Sequence, residues 1–134
     1  MEVFFYGLFM DENILKKNGL NPTNIRSAHL PDYTLKIGNR ASLILSPGET
    51  AYGLVIKVDK AATLALYKES SLADYIAEEV VVITRGGESV KAICYNLPEQ
   101  MLTGTNSAYA TSLYNLAMRL DFPNAYLTHI WHMI

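Results

Sequence analysis

Two β-branched runs around a pair of glycines constrain the fold more than any other feature of this 134-residue chain. Residues 79–84 and 89–95 flank Gly86-Gly87, with one short apolar run on each side. Valine, isoleucine and threonine favour strands, and a glycine pair suits the tight turn between antiparallel neighbours. The pattern predicts a β-hairpin, so the fold must contain antiparallel sheet.

Other short apolar segments, separated by turn signals, predict further strands. They cover residues 3–6, 26–30, 33–38, 41–45 and 51–58, with breaks at Pro31-Asp32 and Pro47-Gly48. Gly53 marks either a bulge or a close approach of two backbones. Asp11 and Asp59 are predicted to cap helices over 11–18 and 60–68, since aspartate favours helix N-termini. The count is about six strands, mostly antiparallel.

The last third of the chain has helical periodicity. Two helices are predicted, over 107–120 and 124–132, with inward-facing residues at Tyr109, Leu113, Leu116, Leu120, Tyr126, Leu127, Ile130 and Trp131. No repeat or linker divides the chain. We therefore predict one domain over 1–134, with C-terminal helices at about 106–132. The expected class is α+β: a small mixed, mostly antiparallel β-barrel with flanking helices.

Composition narrows the possible functions. Half of the residues are hydrophobic and the formal net charge is −2, which predicts a globular protein without the basic surface that nucleic acid requires. The apolar runs are too short to span a bilayer, and the N-terminus lacks signal-peptide features. A cytoplasmic location is the default expectation. The single cysteine, Cys94, excludes an internal disulfide and is expected to be a buried thiol.

The N-terminal stretch Tyr6-Gly7-Leu8-Phe9 joins the first strand to the first helix. Glycine lets a ligand approach the backbone, and free N–H groups at a helix start can bind an anion. A plain strand end followed by an ordinary turn is the simpler local interpretation. Tyr6, Tyr52, Tyr75 and Tyr95 fall on or beside predicted strands, where rings can line a pocket or fill the core.

Among the acidic residues, Glu69 follows the short helix and precedes a polar connection. At the mouth of a small barrel its carboxylate would be partly desolvated, its pKa would rise, and it could exchange protons near neutral pH. General burial statistics favour a surface position instead. His129 and His132 have ligand-like spacing but no accompanying cysteine or carboxylate, so we predict no metal and no cofactor.

These features occur together in one family. Tyr6-Gly7-Leu8-Phe9-Met10 resembles the Tyr-Gly-Ser/Thr-Leu loop of the γ-glutamylcyclotransferase-like (AIG2-like) superfamily. Glu69 and Tyr75 resemble its glutamate and following tyrosine, and Ala51-Tyr52-Gly53-Leu54-Val55 resembles its glycine-containing strand. The resemblance covers roughly residues 3–96 and is closest to a bacterial subgroup, also through the segment from Cys94 to Leu97.

The resemblance implies a reaction on a small-molecule substrate, a γ-glutamyl amine or peptide. The α-amine attacks the γ-carbonyl, pyroglutamate forms, and the amine leaves. Glu69 would be the catalytic acid/base, while the N–H groups of Gly7, Leu8 and Phe9 would hold the α-carboxylate. Tyr6 and Tyr75 would orient the substrate.

Arg40 is either a second carboxylate anchor or an exposed turn residue. The chain departs from the family pattern at Leu8, where a small hydroxyl residue is usual, and at Leu66, Ser70 and Ile76 around the glutamate and tyrosine. The alternative function is therefore a non-catalytic small-molecule-binding or regulatory domain of the same fold.

Overall fold

The glycine pair forms the predicted turn in the computed structural model, which describes residues 1–134. Strand β4 (Ile76–Thr84) pairs antiparallel with β5 (Ser89–Asn96) in an unbroken register from Ile76 opposite Asn96 to Ile83 opposite Ser89. Gly87 has φ of 91°, a conformation that glycine adopts at little cost. The hairpin prediction is confirmed.

The other predicted strands merge into two long ones, β2 (Thr23–Ile37) and β3 (Ala41–Lys57). The predicted breaks at Pro31-Asp32 and Pro47-Gly48 are therefore wrong. The two signals lie opposite each other, where the register shifts between Pro31 and Tyr33. The Gly48 N–H donates to the Asp32 carboxylate at 2.9 Å. Paired irregularities thus form a bulge that bends the hairpin without ending it.

Strand β1 (Glu2–Phe5) closes the sheet. It pairs antiparallel with β3 and parallel with β5, where Val3 lies opposite Ile93, and β2 meets β4 at Ala28 and Thr84. The result is a closed mixed barrel in the order β1-β3-β2-β4-β5. The predicted fold class is confirmed. There are five strands rather than about six, because the segments 26–30 and 33–38 form one strand, as do 41–45 and 51–58.

Four α-helices flank the barrel: α1 (Glu12–Lys17), α2 (Lys60–Leu66), α3 (Ser107–Arg119) and α4 (Asn124–Trp131). The two predicted caps are confirmed, because Asp11 accepts from the Asn13 N–H and Asp59 from the Ala62 N–H, each at 2.9 Å. None of these helices combines the length and the apolar character needed to cross a membrane.

The core fills the barrel and the layer beneath α3 and α4. Cys94 is fully buried there, as predicted. Gly53 marks a close backbone approach, since a Cβ atom on it would lie 2.3 Å from the Phe5 carbonyl oxygen. Trp131 was predicted to face inward and is 58% exposed. It follows the buried Ile130, and one residue of helix rotates a side chain by about 100°.

Candidate functional site

A cavity of about 320 Å³ opens where β1 ends, which is within the usual size of small-molecule sites. Thirteen residues line it, and apart from Gly7 all have hydrophobic or aromatic side chains: Phe4, Phe5, Tyr6, Gly7, Leu8, Phe9, Ile14, Ala41, Tyr67, Leu72, Tyr75, Tyr95 and Tyr109. We call this cavity the tyrosine pocket. Five of the predicted site residues, Tyr6 to Phe9 and Tyr75, meet here.

The loop from Tyr6 to Phe9 is fixed from both sides. The Tyr6 hydroxyl is buried and donates to the Tyr95 carbonyl oxygen at 2.7 Å, which ties the end of β1 to β5. A short 3-10 turn follows, in which the Met10 N–H donates to the Gly7 carbonyl at 3.0 Å. The Gly7 N–H donates no hydrogen bond within the chain. The loop is therefore a rigid edge with a free donor.

Tyr109 brings helix α3 into the site. Its hydroxyl oxygen accepts from the Leu8 N–H at 3.4 Å, and a Cβ atom on residue 7 would lie 2.3 Å from it. Glycine is thus required at position 7 for the tyrosine to reach the loop. Burial raises the pKa of Tyr109 to about 12, so its hydroxyl is neutral at physiological pH.

An aromatic wall forms one side of the pocket, with Tyr67 at its centre. The Tyr67 ring stacks on Tyr95 with centroids 3.7 Å apart and an angle of 6° between planes. It meets Phe9 and Tyr75 edge to face, at 6.3 and 6.2 Å. Aromatic pairs of this kind stabilise each other beyond their simple burial. Tyr67 directly follows α2, so the end of that helix positions the ring at the centre of the wall.

Tyr75 closes the pocket at the start of β4. Its hydroxyl donates to the Ala41 carbonyl oxygen at 2.7 Å. Burial raises the pKa values of Tyr6, Tyr67 and Tyr75 above the ordinary tyrosine value. All three side chains are therefore uncharged at neutral pH. Because no lining residue is acidic or basic, the pocket is suited to binding an apolar group beside a few main-chain donors.

Glu69 lies on the rim of the pocket and not inside it. Its carbonyl oxygen accepts from the N–H of Leu72, a lining residue, at 2.9 Å, whereas its side chain is exposed and makes no hydrogen bond or ion pair. Of the two interpretations, the structure supports the surface position, since the Glu69 side chain is exposed in the turn after α2. Its role as the acid/base remains a prediction.

Arg40 lies beside the pocket without lining it. Its Nη1 is 3.2 Å from Asp74 Oδ2, and its guanidinium carbon is 5.9 Å from the centre of the Tyr75 ring. The buried Nε has no hydrogen-bond partner. The arginine is partly shielded and held next to a lining tyrosine, so it is not a freely exposed turn residue. Binding of a substrate carboxylate by Arg40 remains a prediction.

The remaining candidates have structural contacts. A ring nitrogen of His129 lies 2.8 Å from the Leu35 carbonyl oxygen, which joins α4 to β2. The chain has no group of three or more histidine, cysteine or carboxylate side chains suited to a metal ion. Burial raises the pKa of the Cys94 thiol, which disfavours the reactive thiolate. Tyr52 packs on Tyr126, with ring centroids 5.1 Å apart, and lies outside the pocket.

The sequence did not identify the residues that complete the pocket. Tyr67 directly follows the helix predicted before Glu69, yet nothing local distinguishes it from a core residue. Tyr109 fits the inward face of α3, and only the fold brings that face to the Gly7 loop. The abundance of tyrosine, nine in all, was the one available signal.

Comparison with protein-family models matches residues 3–115 to the family described as gamma-glutamyl cyclotransferase, AIG2-like. The match includes the loop at Tyr6 to Phe9, the turn that carries Glu69, and most of α3. No curated protein sequence matches this chain. Placement in a bacterial subgroup remains a prediction.

Solved structures share the fold. One described as a gamma-glutamyl cyclotransferase has a TM-score of 0.80 and 19% identity, with 100% of this chain and 88% of that chain covered. An uncharacterized human protein has a TM-score of 0.75, 22% identity and coverage of 99% and 87%. A yeast cyclotransferase described as specific to glutathione has a TM-score of 0.70, 13% identity and coverage of 99% and 94%. At these identities the likeness shows the fold alone.

Proposed function

Because the chain belongs to the gamma-glutamyl cyclotransferase, AIG2-like family, we propose that its tyrosine pocket binds a γ-glutamyl compound and releases pyroglutamate from it. One observation carries this proposal. The pocket is bordered by the Tyr6–Phe9 loop and by Tyr75, which are far apart in sequence and were both assigned to substrate binding. Its volume fits a small molecule.

The proposed reaction is an intramolecular acyl transfer. The uncharged α-amine attacks the γ-carbonyl carbon, a C–N bond closes a five-membered ring, and the bond from that carbon to the leaving nitrogen breaks. A proton passes from the attacking nitrogen to the leaving amine. In this proposal Glu69 takes the first proton and returns it, since a carboxylate at the rim can do both.

Main-chain donors hold the anionic end of the substrate in this scheme. The α-carboxylate accepts from the N–H groups of Gly7, Leu8 and Phe9, and the Leu8 N–H exchanges its 3.4 Å contact with the Tyr109 hydroxyl for the substrate. Arg40 is the second anchor and exchanges part of its contact with Asp74 for the substrate. Such an exchange costs little, since the pair is open to water on the Asp74 side, where the side chain is 52% exposed. Tyr6 and Tyr75 shape the walls.

The test compares two glutamates that are both exposed. Glu69→Gln should lower pyroglutamate release from γ-glutamyl amides by about 100-fold or more, the usual contribution of a general acid/base. The control, Glu88→Gln, lies in the β4–β5 turn and should leave the rate unchanged. Thermal melting of both variants reports on folding. Equal rates for Glu69→Gln and the unmodified protein would refute the acid/base assignment.

The exposed Glu69 favours a second candidate, ligand binding without turnover. An uncharged pocket whose only proposed acid/base points to solvent can bind a γ-glutamyl compound and leave it intact. A saturating γ-glutamyl amide should then raise the melting temperature, because ligand at about 100 times its Kd adds about 2.7 kcal/mol of stability. Pyroglutamate in the same sample would exclude this candidate.

A further inference from the structure

We propose that the tyrosine pocket selects γ-glutamyl compounds whose leaving amine carries an uncharged, apolar group, and that Tyr67 sets this preference. The inference rests on the proposed function, from which it takes the γ-glutamyl part of the ligand. It adds the chemistry of the other half, which determines which compounds the protein can use.

The tyrosine pocket has no charged side chain in its lining. All lining side chains are hydrophobic or aromatic, and burial keeps the tyrosine hydroxyls neutral. The neighbouring cation, Arg40, is paired with Asp74 and is assigned above to the α-carboxylate. A carboxylate or ammonium on the leaving amine would thus lose water without gaining a partner of opposite charge, which is unfavourable.

The aromatic wall presents apolar surface to the ligand. Tyr67 contacts Phe9, Tyr75 and Tyr95, so the four rings support one another. Phe9 and Tyr67 are only partly buried although both line the cavity, which leaves apolar surface open to a ligand. Covering that surface with an apolar group is favourable. A polar group at this place would keep its water and leave the apolar surface hydrated.

The two halves of the ligand therefore meet different surfaces. The loop at Gly7 offers a free main-chain N–H to the glutamyl end, whereas the wall around Tyr67 offers no charge and no donor other than the Tyr67 and Tyr95 hydroxyls. Free amino acids and charged peptides as leaving groups fit the first surface and conflict with the second. Small alkyl and aryl amines satisfy both.

The test uses two glutaric acid monoamides, which keep the carboxylate and the amide but lack the attacking amine. One carries a benzyl group and the other a 4-carboxybenzyl group, which differs from it only by the carboxylate in the para position. Calorimetry on the unmodified protein should give a Kd at least about tenfold lower for the benzyl compound, since an unpaired buried charge is rejected strongly. Equal affinities, or tighter binding of the charged compound, would overturn the proposal.

A second measurement distinguishes failure of the proposed function from failure of this proposal. The matching γ-glutamyl amides are incubated with the protein and pyroglutamate is measured. A benzyl preference in calorimetry without pyroglutamate would refute turnover and support the selectivity. Pyroglutamate released equally well from both amides would support turnover and overturn the selectivity.

Two variants test the residues. Tyr67→Leu should reduce the preference for a benzyl over a methyl monoamide by about tenfold. Tyr114→Leu changes a tyrosine that packs on Trp131 outside the pocket and should leave this preference unchanged.

Leu72→Arg places a cation on the lining turn and should shift the affinity ratio at least about tenfold toward the 4-carboxybenzyl compound. An unchanged benzyl-to-methyl ratio in a folded Tyr67→Leu would overturn the role of Tyr67. If that variant unfolds, an unchanged ratio in Leu72→Arg overturns the proposal.

Discussion

The tyrosine pocket and a polar cluster around Asn96 share strand β5. Polar side chains bond to one another in the cluster, whereas apolar and aromatic side chains border open space in the pocket. We define the Asn96 cluster as Asn96, Glu78, Tyr33 and Ser42. Asn96 Nδ2 donates to Glu78 Oε1 at 2.7 Å, and Tyr33 donates to Glu78 Oε2 at 3.2 Å. Each of these polar side chains is hydrogen-bonded to another group of the chain.

In the pocket, the Tyr6 and Tyr75 hydroxyls donate to main-chain carbonyl groups, and the tyrosine rings border open space. Glu78 has two donors of its own, whereas Glu69 has none and is exposed. A carboxylate stays out of water only where donors replace the water. The Asn96 cluster therefore stabilises the barrel, whereas the tyrosine pocket presents an open, uncharged surface.

Breaking the Asn96 cluster should have the largest effect on stability. Asn96→Leu removes the donor to Glu78 and the acceptor for the Leu43 N–H, and it should lower the free energy of unfolding by about 3 kcal/mol. Urea unfolding measures the loss. Asn115→Leu, an exposed site on α3, should change it by less than about 0.5 kcal/mol. Similar values for the two variants would contradict the structural role.

High pH should act on the pocket. The folded pKa of Tyr109 is about 12 and exceeds the unfolded value, so its contribution is complete below the unfolded pKa near 10 and is lost as pH rises from there toward 12. Each such tyrosine adds up to about 1.4 kcal/mol of destabilisation per pH unit. Urea unfolding between pH 9 and 11.5 should give a shallower decline for Tyr109→Phe. A slope unchanged by the substitution would show that Tyr109 does not titrate as its burial requires.

A smaller effect is expected where the loop meets α3. Gly7→Ala forces the Tyr109 hydroxyl away from the Leu8 N–H and should cost about 1 kcal/mol of unfolding free energy, together with most of the ligand affinity. Gly86→Ala is the control, since a Cβ atom there meets nothing closer than 3.9 Å. Thermal melting with and without a glutaric monoamide measures both effects. Unchanged ligand affinity in Gly7→Ala would separate the loop from the binding site.

Local signals predicted the elements whose causes are local. The glycine turn of the hairpin and the caps Asp11 and Asp59 depend on near neighbours, so the sequence contains their full explanation. The strand breaks at Pro31-Asp32 and Pro47-Gly48 were mistaken because pairing between β2 and β3 overrides the turn signals. That pairing joins residues distant in sequence, such as Pro31 and Thr50.

The site residues also divide into those with a local signal in the sequence and those placed only by packing. Tyr6, Gly7 and Tyr75 were predicted through motifs, and the pocket unites them. Tyr67 and Tyr109 were missed because their role depends on how α2 and α3 pack against the loop. For Glu69, general burial statistics had already favoured the exposed position that it has in the structure.

The most direct test is a crystal structure of the protein with glutaric acid monobenzylamide. We expect the carboxylate to lie within hydrogen-bond distance of the main-chain N–H groups of Gly7, Leu8 or Phe9, and the benzyl ring to pack against Tyr67. A ligand bound elsewhere, or a tyrosine pocket that stays empty at saturating concentration, would contradict this expectation.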